Sequence, residues 1–272
     1  LDPPSSCTVA NSEASRYKRT PEMQIDRDRV QAILKAEHAY YGGGDIPIRR
    51  DERWKPYWQH IIAPQLSPAM RVLDVGCGKG HFLLELSASF HTGLGIDNDP
   101  EHIQMAEEAK RAEGVHNVDF LLLDYPGEVA RLEPESFDMV VSLRGPLTEN
   151  AESIQAARRL LCPNGLPYCE EIAELHQKEK REIFDPDSLK ETIPRVDEVK
   201  ALMEGNGFDV RLAADVFTKW FYPDIYAWLQ YECNIRAWLG IPLPEADDPR
   251  IALFAERNTI ATGEIETTHH VA

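Results

Sequence analysis

No run of apolar residues in this 272-residue chain approaches the roughly 18 that a membrane-crossing helix needs. No charged-then-apolar leader pattern is visible either, so a cytoplasmic protein without a membrane partner is expected. Cysteine is sparse. Cys7, Cys77, Cys162, Cys169 and Cys233 form no C-x-x-C pair and no zinc spacing. An odd, scattered set reads as reduced thiols, which argues against a disulfide framework and a cysteine-bound metal; no metal is expected. Positive charge is short as well, with 29 Lys and Arg against 46 Asp and Glu and a net charge of −17. Residues 1–68 hold 10 against 9 and are nearly neutral, which leaves 19 against 37 for the rest. Proteins that grip a phosphate backbone present a basic face, so nucleic acid is not an expected partner. Arg49, Arg50 and Arg53 form a local exception.

The length suits one large domain, or one domain with a lid. Residues 1–25 are polar and aperiodic, which reads as a disordered tail. Residues 26–68 read as a helical lid segment, with helices over about 28–40 and 51–65 on either side of Gly42-Gly43-Gly44. From residue 69 strand and helix alternate. "MRVLDV", "TGLGID", "VDFLLLD", "FDMVVSL" and "LPYCEE" are apolar strands, with helices over about 79–88, from Pro100 up to Gly114, and from Asn150 to Leu161. This order predicts an α/β fold: a Rossmann-like, doubly wound, mostly parallel sheet of about seven strands. The N-terminal helices and a C-terminal helical, aromatic lid would complete a single α/β domain over 69–272. Segments 173–206 and 217–258 read as additions that would face its ligand. A helix is expected over about 196–206, strands in "GFDVRLAADVF" and "TIATGEIETTHHVA", and a helix in the aromatic stretch 217–238, which holds eight of the chain's 23 aromatics.

The stretch "VLDVGCGKGHF" sets three glycines at the end of the first of these strands. Glycines let a ligand approach the backbone, and the following helix start offers free N–H groups. A Walker A loop fails because Lys79 is followed by Gly80. A dinucleotide fingerprint fails because, counting from Gly76, the sixth position is His81.

The string D-V-G-C-G-K-G resembles the first motif of the class I S-adenosylmethionine-dependent methyltransferases. The likeness continues in "GLGIDND", "FLLLDY", "FDMVVSL" and "ARRLLCPNGLPYCEE", covering about residues 70–171. Asn164 departs from the glycine that the family prefers, although asparagine tolerates positive φ nearly as well. The resemblance implies S-adenosyl-L-methionine as cofactor. It implies Asp74 near the methionine end, Gly76, Cys77 and Gly78 along the cofactor, and Asp97, with Asn98 beside it, on the ribose hydroxyls. Asp124, with Tyr125, would meet the adenine, and Ser142 stands at the fourth strand's exit. A carboxylate suits the ribose because it can accept from two hydroxyls at once. Cys77 inside the turn reads as a small side chain and not as a nucleophile.

Methyl transfer from a sulfonium is an in-line displacement, so the protein mainly aligns the acceptor and excludes water. A base is required when the acceptor is protonated at working pH. Ligands of parallel α/β sheets lie at the carboxyl ends of strands, which points to Arg144 and Glu171 on the acceptor side. Arg144 suits an acceptor carboxylate or carbonyl, or equally a salt bridge to Glu149, Glu170 or Glu171. His176 is a candidate base, against the plainer reading of an exposed helix-surface histidine. Tyr222, Tyr226 and Trp228 could wall an acceptor pocket or simply pack a helix on the core. The expected acceptor is a small molecule, with N or O as the methylated atom, and a homodimer is the other association considered. Alternatives are an RNA-base methyltransferase, a regulatory protein that binds the cofactor without transferring methyl groups, and an aminopropyl transferase. The last lacks a D-x-x-D-like site beside the fourth strand.

Overall fold

The computed structural model describes residues 25–38, 46–50, 61–173, 175–186 and 195–271. The tail expected at 1–25, apart from Ile25, and most of the helix expected at 51–65 lie outside these residues. Along the chain, α1 (Arg27–Lys35) and the short β1 (Arg49–Arg50) precede β2 (Arg71–Val75) and α2 (His81–Glu85). Next come β3 (Thr92–Asp97), α3 (Pro100–Glu113), β4 (Val118–Leu122) and β5 (Phe137–Leu143). They are followed by α4 (Ala151–Leu160), β6 (Leu161–Glu170), α5 (Lys178–Phe184) and α6 (Val196–Gly205). The last described elements are β7 (Val216–Tyr222), α7 (Ile225–Leu239), α8 (Pro249–Asn258) and β8 (Ile265–Val271).

The described residues fall into two compact units. One is drawn from 61–173, 195–216 and 270–271, and the other from 25–38, 46–50, 175–186 and 217–269. The first unit carries a parallel sheet in the order β4-β3-β2-β5-β6. Its central strands are buried almost throughout, as strands covered on both faces must be. Alternate residues serve opposite layers. Leu73, Val75 and Val140 pack with Ile154, Ala157 and Leu160 of α4. Val72, Met139 and Val141 pack with Ile62 and with Phe82 and Leu83 of α2. The order reverses between β2 and β5, which leaves a crevice for ligands at the carboxyl ends of these strands.

Local chemistry sets the helix ends. The Asp99 carboxylate accepts from the Glu101 and His102 amides, Pro100 opens α3, and Gly114 closes it in the left-handed region. Asn150 caps α4 by accepting from the Ser153 amide. Asn164 has φ +67°, a value its side chain tolerates, as the departure from glycine required.

Among the described residues the expected seven-strand sheet is corrected to five parallel strands, with a separate three-stranded sheet in the order β1-β7-β8. Residues 208–215 of "GFDVRLAADVF" form no strand; regular structure resumes only at Val216. The neighbouring edge strand β6 carries Pro163 and Pro167, which lack the N–H groups a further ladder would need. The expected aromatic helix is also corrected. Phe217, Trp220, Phe221 and Tyr222 lie on β7, and α7 starts after the Asp224 cap, whose side chain accepts from the Ala227 amide.

In the second unit the Trp228 ring stacks on Phe254 at 3.9 Å between centroids, with Phe184 at 5.6 Å. Glu232 is buried between Lys180 at 3.1 Å and Arg236 at 2.7 Å. No helix among the described residues is long and apolar enough to cross a membrane.

Candidate active site

β2 ends in a buried acid and then a bare turn. Asp74 is 2% exposed, and burial, reinforced by the negative charge of Asp97, pushes its carboxyl up to about 8. Gly76, Gly78 and Gly80 follow with φ of +71°, +51° and +77°. The amides of Gly76 and Cys77 both donate to the Ile96 carbonyl, at 2.9 and 3.0 Å, which ties the turn to the end of β3. A Cβ at Gly80 would collide with the Phe120 ring, whereas one at Gly78 would meet nothing within 4 Å. Gly78 therefore leaves an open face on the backbone.

Asp97 at the end of β3 holds this turn. Its Oδ2 accepts from the Gly78 amide at 2.8 Å and its Oδ1 from the Asp99 amide at 3.0 Å. His102 Nδ1 lies 3.4 Å from Oδ1. Cys77 packs its thiol towards Gly95, and burial pushes that thiol up. Asn98 and Asp124 are exposed at the exits of β3 and β4. Tyr125 is buried instead, and its hydroxyl donates to the Ser153 carbonyl of α4.

The exit of β5 packs directly on the glycine turn. Ser142 is fully buried and donates to the Val75 carbonyl at 3.1 Å, so its hydroxyl is spent inside the protein. A Cβ on Gly145 would lie 2.6 Å from both Ser142 Oγ and the Val75 oxygen. Arg144 has φ +61°, unusual for a side chain of its size, and its amide donates to the Glu170 carbonyl at 2.6 Å. Its Nε lies 3.8 Å from the buried Glu170 carboxylate, so the salt-bridge reading of Arg144 is present in the structure. Glu171 accepts from the Thr148 hydroxyl. Burial pushes Glu171 up to about 7; the Thr148 hydrogen bond opposes this rise, and the charges of Glu149 and Glu170 add to it.

Asp74, Gly76, Cys77, Gly78, Asp97, Ser142, Arg144 and Glu171 thus all belong to the first unit, at the carboxyl ends of its strands. His176, Tyr222, Tyr226 and Trp228 belong to the second. His176 meets the His269 ring edge-on at 4.6 Å, and His269 in turn stacks on Trp220 at 4.5 Å. Tyr222 and Trp228 are 0% and 1% exposed and fill the unit's own interior, which matches the packing reading of these two residues and not that of an acceptor wall. The Tyr226 hydroxyl accepts from the Asp26 amide at 2.8 Å, and Arg29 lies 3.9 Å over its ring. Sequence reasoning missed Thr148, which nothing local marks. His102 stands out beside "DND" but is no convincing metal ligand there, because Asp99 is needed as the cap; its approach to Asp97 was not foreseen.

A crevice at the reversal of a parallel sheet, lined by a bare glycine turn and strand-end acids, defines an α/β protein that binds a nucleoside-type cofactor. A family model described as "Methyltransferase domain" matches residues 66–218. The chain belongs to this family and is a class I S-adenosylmethionine-dependent methyltransferase. Two 23S rRNA (uracil(1939)-C(5))-methyltransferases are similar over part of the chain. That of Aeromonas hydrophila is 33% identical over 73 residues, 26% of this chain and 17% of its own length. That of Photobacterium angustum is 28% identical over 125 residues, 45% of this chain and 56% of its own length. The chain therefore spans less than two thirds of either relative. Among solved structures, a functionally unknown protein of Deinococcus radiodurans R1 aligns with TM-score 0.52 at 18% identity, covering 89% of this chain and 93% of its own. The YcgJ protein of Bacillus subtilis aligns with TM-score 0.50 at 18% identity, covering 78% and 94%. These likenesses show the fold.

S-adenosyl-L-methionine is the cofactor. The residues present fit it: the open face at Gly78 admits a ligand against the backbone, Asp97 orients the Gly78 amide, and the exposed Asp124 stands at the exit of β4.

Proposed function

We propose that this methyltransferase modifies a small molecule at a nitrogen or oxygen that sheds a proton. The observation that carries this reading is the acidic exit of β6, where Glu171 is joined by Glu149 and Glu170 and Arg144 lies against Glu170. Such a site favours a neutral or cationic acceptor and disfavours a polyphosphate, in keeping with a net charge of −17. When bound, the cofactor supplies an electrophilic methyl group on a sulfonium.

On this reading Asp97 accepts the ribose hydroxyls, Asp124 the adenine amino group, and Asp74 helps hold the methionine end. Asn98 and the backbone of Gly76, Cys77 and Gly78 border the cofactor. Glu171, pushed up to about 7, takes the acceptor's proton at neutral pH. Arg144 pairs with Glu170, the residue next to Glu171.

The test supplies methyl-labelled S-adenosylmethionine to the protein with either a metabolite extract or total RNA. Label is expected in a small-molecule fraction and to fall at least tenfold with Glu171→Gln. Label in RNA alone would reverse the choice of acceptor. The RNA reading draws on the partial similarity to the rRNA uracil methyltransferases.

A further inference from the structure

Glu171 is fixed at the exit of β6 by the Thr148 hydroxyl, which donates to its Oε1. Thr148 is 9% exposed and ends the short turn Pro146–Thr148. That turn is locked onto the cofactor loop, since a Cβ at Gly76 would lie 3.0 Å from Pro146 Cδ and 3.2 Å from Gly145 Cα. At the other end of the same stretch, the Arg144 amide holds the Glu170 carbonyl at 2.6 Å. Residues 144–148 are therefore one strap, tied to the exit of β2 on one side and to both glutamates on the other.

We propose that Thr148 is the positioning residue of the acceptor side: its hydroxyl commits one oxygen of Glu171 and leaves the other to take the acceptor's proton. The proposal rests on Glu171 acting as the base. Threonine suits the task because β-branching restricts its χ1, so the hydroxyl is held in place more firmly than a serine's. The charged groups around Glu171 disfavour its charge, since Glu149 and Glu170 repel it, and burial adds to this. Arg144 faces Glu170. The Thr148 hydrogen bond opposes these influences by favouring the carboxylate.

The full chain, carrying carbon-13-labelled glutamate, is titrated by NMR, with the Glu171 resonance assigned by its loss in Glu171→Gln. Thr148→Val keeps the shape and removes the donor; it is expected to raise the Glu171 midpoint by about one pH unit. Thr148→Ser is expected to bring it back to within a few tenths of wild type. Calorimetry with S-adenosylmethionine should give affinities within about twofold of wild type in both variants, which separates the effect from damage to the glycine turn. If valine does not fold, Thr148→Ala carries the same expectation. A midpoint that stays put or falls, in protein that still binds the cofactor, overturns the proposal; so does a serine variant displaced as far as valine. Glu171→Gln transferring methyl groups at the wild-type rate would instead overturn the reading of Glu171 as the base, whatever the titration shows.

Discussion

A methyl group added at Gly78 meets no protein atom within 4 Å, yet the backbone there has φ +51°. Two separate effects are therefore expected from Gly78→Ala. The left-handed conformation costs about 1–2 kcal/mol of stability, and the protein still folds. The new methyl also occupies the face that the cofactor needs, so the Kd for S-adenosylmethionine should rise at least tenfold. Calorimetry measures this directly, and a wild-type affinity would mean that the turn does not border the cofactor. Asp97 ranks with Gly78 in importance, because the same carboxylate that is expected to receive the ribose already orients the Gly78 amide. Gly78 was readable from a turn whose spacing excludes other nucleotide loops, and Asp97 from the resemblance of "GLGIDND" to the family's second strand.

At the scale of elements, the exit of β6 brings a titratable group to the acceptor. Glu171 loses its proton as pH rises through about 7, so turnover should rise across pH 6 to 8 and then level off. Glu171→Gln should flatten this profile at a lower rate; an unchanged profile would assign the ionisation to another group. Glu171 stood out in the sequence as a strand-end acid, but its partner did not. Thr148 lies 23 positions earlier, and only the adjacency of β5 and β6 brings the two together. The aromatic stretch shows another limit. "VFTKWFY" alternates in burial as a strand does, and the Pro223-Asp224 pair before Ile225 is a helix start. Eight aromatics in a short span obscured the change of period. For "GFDVRLAADVF" the alternation was present, but a strand also needs a neighbour able to complete the ladder, which is a property of β6 and not of the segment itself.

For the whole molecule, two raised carboxyls imply a definite pH dependence of stability. Asp74 rises from an ordinary 3.8 to about 8, and Glu171 from 4.5 to about 7. In both cases the folded state binds protons more tightly than the unfolded chain. Stability should therefore fall as pH climbs from about 4 towards 8, and change little above that through these groups. Asp74→Asn removes the larger contribution, so its Tm should decline less between pH 5 and pH 8 than that of wild type. Parallel slopes would show that Asp74 is solvated in the folded protein. This behaviour could not be read from the sequence, because burial of Asp74 depends on β3 and β5 flanking β2 and on the loop at 144–148 covering its exit.

The Phe120 ring has a consequence beyond the fit of one turn. It occupies the space that a side chain at Gly80 would take, and a Cβ at Gly95 would come within 2.6 Å of the same ring. One bulky residue on β4 thus stands against two bare positions contributed by different parts of the chain. Their volumes are linked, so the energetic effects of substitution should not add. Gly95→Ala and Phe120→Leu are each expected to lower the unfolding free energy. The double variant should lose less than the two single losses combined, as measured by urea unfolding. A chain that carries alanine at position 80 or 95 is then expected to carry something smaller than phenylalanine at position 120.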